Sequence, residues 1–538
     1  MRTVRLLLLV TLVVSAAAVA VRLISPPAER ESHEILREVY SPRFARVPDL
    51  PPAGETLAQV RETLRGPAGV AFLRRWLPSQ SGTLWIFAVM TVVISFDFAR
   101  PRHPRNVDMM ALLVLGALFF DILFFARHLR EPFWLQLLWW VFDAIVAVTV
   151  FIGARAIWRV YHPVQDPWTP NLPRRALAVL AVLMLLLDAS ATLLRPPDDS
   201  GYFANLGAQR LRERWLLPYG DPMLTGTPGA AYAPLLYVAH IPFQWLVDPI
   251  DLNATSSPHP PLGVDSTYRL PSALATKLCA LAFLFVGVFA LFRAATRFGS
   301  VDLGYALVAM FCGSAFVIGM GGEDYFIGGV TYVSHLAPPA LTTAAFATLA
   351  NPIAAGVLLT AGAGVGFYPA FLVPAWLGYY SSHRGAAVRF LGSITVSSAI
   401  LGAFVLLRSR PTGGRGLIGT ILWDTLGHHT DSAGYGSSPF SFWGQRPGWR
   451  EWFANPLVGA SGLTAPMMLL FIGFALAAYV IARRRTPQML ALISAAVVIG
   501  ATLVKIHPTA GYVAWFYPFL LLGLFLPAAQ RSARAGTP

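Results

Sequence analysis

The chain returns to an apolar stretch about fourteen times, and that recurrence fixes its fold class before any motif is considered. The stretches fall at roughly 5–24, 82–98, 108–126, 133–154, 175–194, 272–295, 302–320, 338–350, 353–366, 369–381, 388–407, 463–482, 488–506 and 511–528. A helix needs about 20 apolar residues to cross a bilayer, fewer where it is buried or broken. Only 13% of the 538 residues are charged and 55% are hydrophobic, far from the balance of a soluble domain. The sequence therefore predicts an all-α polytopic membrane protein. Its first stretch ends in SAAAVA and also fits a cleaved signal peptide, but its length favours an uncleaved anchor.

Charge sets the topology. The net charge is +14, and lysine occurs only at Lys277 and Lys505, so the basic residues are nearly all arginine. That bias suggests a GC-rich bacterial genome, and the many spans then make a multi-pass protein of the bacterial inner membrane the expectation. It does not imply nucleic acid, because most of the arginine flanks apolar stretches and meets membrane lipids there. Short basic connections at 100–106 and 155–175, around Arg293/Arg297, Arg384/Arg389 and Arg483–Arg485, and the tail with Arg531 and Arg534 mark the cytoplasmic side. The hairpin at 127–131 is a basic exception. The polar segments at about 25–81, 195–271, 321–337 and 408–462 then lie on the outer face, away from nucleotides. A transferase working there needs an activated donor delivered in the membrane, such as a lipid phosphate. Residues 1–174 form an N-terminal region with four spans, and 175–538 the remaining membrane domain. Asn351-Pro352 and Tyr368-Pro369 interrupt the middle spans, which hints at a cavity where protein or water satisfies the freed backbone.

The outer segments hold the candidate chemistry. Asp198 and Asp199 follow directly on the stretch 175–194, at the start of a helix expected from about Ser200 to Trp215. One of them could act as a general base; either could instead cap the helix. Ala204, Ala208, Leu211 and Trp215 share one face of that helix, so it could lie in the membrane interface with Tyr202 at a cavity rim. Glu323-Asp324 with His335 could hold a divalent metal or orient an acceptor, or merely cap a helix beside a glycine turn. His428-His429 lacks the spacing of two zinc ligands on one helix face. Trp443, Trp449 and Trp452 suit a lipid- or acceptor-facing loop. Cys279 and Cys312 read as small core residues. Asp97, Asp121, Asp143 and Asp188 stand inside or near spans and support a rival reading, an ion- or proton-coupled transporter. Walker, dinucleotide and HExxH motifs are absent from the sequence.

Taken together, Asp198/Asp199, Tyr202, Pro218-Tyr219 and Tyr232-Ala233-Pro234 resemble the pattern of GT-C integral membrane glycosyltransferases. The closest likeness is to bacterial polyprenyl-phosphate-mannose-dependent mannosyltransferases of the family 87 type. It extends loosely over 175–528. The resemblance implies a membrane enzyme with outer loops and interfacial helices. Its substrates would be a polyprenyl-phosphate sugar donor and a lipid or glycan acceptor of the cell envelope. It gives Asp198 or Asp199 the role of base and makes Tyr202 and Tyr219 substrate-binding residues. The leaving lipid phosphate would need a cation, for which Lys505 (close to His507) and Arg269 are candidates; each could instead snorkel to the headgroups. Two features depart from the family pattern. Gly366-Phe367-Tyr368-Pro369 stands where related sequences often carry a lysine before the proline, and residues 1–174 have no counterpart.

Overall fold

The computed structural model describes residues 2–24, 52–127, 132–164, 168–195, 197, 199–221, 224, 228–248, 271–319, 329–427, 464–504 and 510–528. Helix accounts for about 81% of it, and no strand occurs among the described residues. The helices run α1 (Arg2–Ile24), α2 (Ala53–Arg65), α3 (Pro67–Arg75), α4 (Gly82–Ser95), α5 (Pro104–Arg127), α6 (Pro132–Tyr161), α7 (Arg174–Leu194) and α8 (Asp199–Arg214). They continue with α9 (Pro234–Val247), α10 (Ala273–Phe298), α11 (Val301–Cys312), α12 (Ala315–Ile318), α13 (Val333–Ala347) and α14 (Pro352–Val365). The last are α15 (Val373–Tyr380), α16 (Arg384–Arg408), α17 (Leu417–Leu422), α18 (Thr464–Ala482), α19 (Pro487–Leu503) and α20 (Val513–Phe525).

Among the described residues, four helical stretches are long and apolar enough to cross a bilayer alone: Gln136–Tyr161, Arg174–Leu194, Ala273–Phe298 and Arg384–Arg408. Eight shorter apolar helices accompany them, so this measure does not reach the expected fourteen. In α16 only 11% of the apolar window is buried. Val396, Ile400 and Leu407 stand exposed there, a surface that is costly in water and natural in lipid.

Hydrogen bonds and ring contacts sort the helix ends onto two faces. At one, Arg297 donates to the carbonyl of Ala347, Tyr380 to that of Leu349 and Arg105 to that of Leu524, while Arg485 lies over the Tyr161 ring. At the other, Lys277 donates to the carbonyl of Leu193, Asn205 to that of Ser272, and the Leu217 amide to that of Arg408. The short arginine-rich connections thus gather at the first face, opposite the segment that begins at Arg195.

The core runs through both halves of the chain. Helix α6 packs along α19, and α4 touches α11 and α12. Phe87 of α4 meets Phe316 and Tyr517 edge-on. Three boundaries differ from those expected. Helix α13 starts at Val333, so Pro338 and Pro339 lie inside it rather than ahead of it. The stretch 302–320 breaks after Cys312, where Gly313 turns the chain and the Ser314 side chain caps α12. Segment 195–271 contains a second helix, α9, whose apolar face packs on α8 and α10.

Candidate active site at the start of helix α8

The first turn of α8 is built onto rigid neighbours. Helix α7 stops at Leu194, and Arg195 turns extended, its amide still bonded to the Ala191 carbonyl. Helix α8 begins at Asp199. The Gly201 carbonyl accepts from the Thr276 hydroxyl at 3.1 Å, and the Asn205 amide donates to the Ser272 carbonyl at 2.9 Å. Gln244 of α9 donates to both the backbone and side-chain oxygens of Asn205 at 2.7 Å. Such a framework fixes the backbone of the first turns of α8 on α9 and α10. Asp198 lies outside the described residues, and the side chains of Asp199 and Tyr202 do as well. The helix is less interfacial than expected. Ala204 through Leu211 are all buried, polar residues included, while Trp215 leaves the helix at φ 55° and is exposed beneath the Arg408 guanidinium.

The Pro-Tyr-Gly-Asp turn closes this framework from the other side. Arg210 of α8 grips Asp221 with two bonds, 2.8 and 3.2 Å, both partners being buried. Gly220 adopts φ +78°, and a Cβ there would stand 2.0 Å from the Arg410 carbonyl oxygen, so glycine is required. Its amide donates to Asp424 at 2.8 Å. The Tyr219 hydroxyl donates to the Tyr232 carbonyl at 2.6 Å, and the Tyr237 hydroxyl bridges the Gly229 carbonyl and the Tyr232 amide. Burial pushes the Tyr219 hydroxyl well above its ordinary pKa, and Tyr237 and Asp424 add to the shift. It therefore stays a donor. Tyr219 was expected to touch substrate; its burial and spent hydroxyl make it a clasp of the scaffold instead.

A second group forms where α13 starts. His335 is buried in the first turn, stacked on Tyr332 at 4.4 Å and edge-on to Tyr512 at 4.8 Å. Trp515 stacks on Tyr368 at 4.5 Å, and its indole donates to the Ser334 carbonyl at 3.2 Å. Tyr332 is the half-buried member, and the others are buried. Helix α13 touches α8, and the turn Gly329–Thr331 touches α7 and α10, so the two groups adjoin at one end of the bundle. The sequence reading singled out His335 and overlooked Tyr332, Tyr512 and Trp515. Their only signal was aromatic residues at span ends, which an ordinary interfacial belt also produces. Arg269, Glu323, Asp324, Lys505 and His507 lie outside the described residues, as do Asp198, His428, His429 and the tryptophans of the late loop. Among the described residues, no group of three or more His, Cys, Asp or Glu side chains could hold a metal ion.

The span aspartates fall into distinct settings. Asp97 accepts from the Ala99 and Arg100 amides and pairs with the Arg100 side chain. Asp121 pairs with Arg75 at 3.3 Å. Asp188 is fully buried; among the described residues neither oxygen accepts from nitrogen or oxygen, and the Cys312 thiol is the polar group beside it. No family model matches the chain, and neither a curated protein nor a solved structure does.

Proposed function

We propose that this chain is an integral membrane glycosyltransferase of the bacterial inner membrane. It moves a sugar, mannose by the family resemblance, from a polyprenyl phosphate to an acceptor hydroxyl at the outer face. The observation that supports this most is the anchoring of the α8 start by Thr276, Asn205 and Gln244, at the bundle end opposite the arginine-rich connections. A carboxylate leading into that turn, Asp198 or Asp199, takes the acceptor proton as the hydroxyl oxygen attacks the anomeric carbon. The carbon–phosphate oxygen bond breaks, the polyprenyl phosphate leaves, and the anomeric configuration inverts. A cation from Lys505, His507 or Arg269 offsets the charge that develops on the phosphate. The Tyr332–His335 stack offers the half-buried ring of Tyr332 as a wall for sugar or lipid. Glu323 and Asp324 serve as acceptor contacts, and a divalent metal could join them.

The test is transfer from radiolabelled polyprenyl-phosphate-mannose in membranes, at matched expression, for wild type, Asp198→Asn, Asp199→Asn and the double variant. General-base removal typically costs about 100- to 10,000-fold. A loss of that size in one single variant identifies the base; wild-type rates in all three variants sink the role. The second reading, a proton- or ion-coupled transporter, is favoured by Asp188 alone, a fully buried acid within a span. It requires substrate uptake into proteoliposomes that Asp188→Asn abolishes.

A further inference from the structure

One of the chain's two lysines stands where α10 meets the end of α7. The Lys277 ammonium donates to the Leu193 carbonyl at 2.8 Å, and the side chain is half-buried. That carbonyl belongs to the last turn of α7, whose oxygens have no partner within the helix. Capping it calls for a donor, not for a charge, and keeping an ammonium half-buried costs desolvation. An ammonium also has three N–H groups, so one carbonyl leaves two to give. Among the described residues Lys277 enters no ion pair.

The neighbouring residue brings this cation to the candidate active site. Thr276 donates to the Gly201 carbonyl at 3.1 Å, so consecutive residues of α10 hold both ends of the connection that carries Asp198 and Asp199. Apolar surface leads away from the ammonium. On α7, Leu193, Leu186 and Val182 stand exposed at helical spacing, and on α10 Leu274, Phe285 and Phe289 do the same. Each set shares one face of its helix, the two helices touch, and Leu193 and Leu274 carry both faces to the end where Lys277 stands.

We infer that Lys277 binds the phosphate of the isoprenoid donor, whose chain lies along these faces of α7 and α10. The inference rests on the transfer proposed above and names its phosphate contact. Asp198 and Asp199 make this end of the bundle acidic, so the inference draws on no net positive charge. A phosphate settles beside two carboxylates only against a cation, and it gains charge as its bond to the sugar breaks. In an inverting displacement the base and the leaving phosphate act on opposite sides of the anomeric carbon, which leaves the Lys277 ammonium to the phosphate. The apolar faces favour a lipid-borne phosphate over a free one.

The test titrates the full chain, purified in detergent, with fluorescent undecaprenyl phosphate and with the unphosphorylated polyprenol of equal length. Wild type is compared with Lys277→Gln, Lys277→Arg and Ser272→Ala, the last of which removes the side-chain cap of α10 and no charge. Wild type should bind the phosphate more tightly than the polyprenol. Lys277→Gln should weaken phosphate binding about tenfold or more, which is about 1.4 kcal/mol, and keep polyprenol binding within about twofold, a sign that the fold is intact. Lys277→Arg should keep the preference, and so should Ser272→Ala. Neither phosphatidylglycerol nor inorganic phosphate at equal concentration should displace the probe. Full preference in Lys277→Gln, equal loss in Ser272→Ala, or displacement by either competitor would overturn the inference and leave the proposed transfer standing. Equal binding of phosphate and polyprenol by wild type would overturn the inference together with the lipid-phosphate donor.

Discussion

Tyr219 shows how one side chain can satisfy a motif and still do a different job. Within Pro218-Tyr219 it matches the family pattern, and that resemblance alone makes it a substrate contact. In the fold its ring is buried against Tyr237 and its hydroxyl is committed to the Tyr232 carbonyl. Tyr219→Phe should therefore lower stability by about 1 kcal/mol, the worth of one buried hydrogen bond, and leave the transfer rate per folded molecule unchanged. Melting in detergent with a transfer assay at matched folded protein checks both halves; a lost rate at unchanged melting would return Tyr219 to the substrate. Position in a motif was legible here, and the partner of the hydroxyl was not. Tyr232 lies thirteen residues away across a turn whose shape depends on Gly220 and on Asp424, over 200 residues further along the chain. The Arg210–Asp221 pair was equally hidden, because sequence shows an arginine-rich helix and not which of its arginines turns inward.

Helix α13 carries the lesson of the elements. The apolar stretch expected there starts at Pro338, whereas the helix starts five residues earlier and holds two prolines, which ordinarily break the helical ladder. They sit inside the helix, and the loss at Pro338 is made good nearby. Pro338 has no N–H to give the Ser334 carbonyl four residues back, and the Trp515 indole of α20 supplies a donor there instead. The Thr342 hydroxyl turns back onto the carbonyls of Pro338 and Pro339. The break thus becomes a joint that binds α13 to α20 beside His335. Trp515→Phe should cost about 1–3 kcal/mol by removing that donor. The loss should shrink in a Pro338→Ala background, because the alanine amide can bond the Ser334 carbonyl within the helix. A double-mutant cycle of melting in detergent measures the coupling; additive losses would mean that the indole does not replace the missing amide. Irregular backbone at Asn351-Pro352 and Tyr368-Pro369 was legible in the sequence, and so were the apolar stretches of α7, to within a residue, and of α10 and α16, to within three and four residues. The partner itself was not, because Trp515 follows Pro338 by 177 positions.

At the scale of the whole molecule, everything said about donor chemistry depends on which face meets the cytoplasm. The fold collects the basic connections at one end, as the hydrogen bonds from Arg297, Tyr380 and Arg105 show, and puts the α8 start at the other. The positive-inside rule turns that asymmetry into an orientation. The gathering of the basic connections at one end was legible from arginine spacing alone, because insertion acts on the chain segment by segment. The convergence of α7, α8, α13 and α20 on one patch was not, since it depends on how helices pack. Both native cysteines are buried, so a single exposed cysteine can report on each face with little background. Ser382 lies exposed in the turn between α15 and α16, and Pro411 lies exposed just past the far end of α16. In intact cells an impermeant maleimide should label Pro411→Cys and spare Ser382→Cys, which should react only after the membrane is opened. The reverse pattern would turn Asp199 toward the cytoplasm. Nucleotide-activated sugars would then reach it, the need for a lipid-borne donor would vanish, and the proposed transfer would lose the argument from topology that separates it from other sugar transfers.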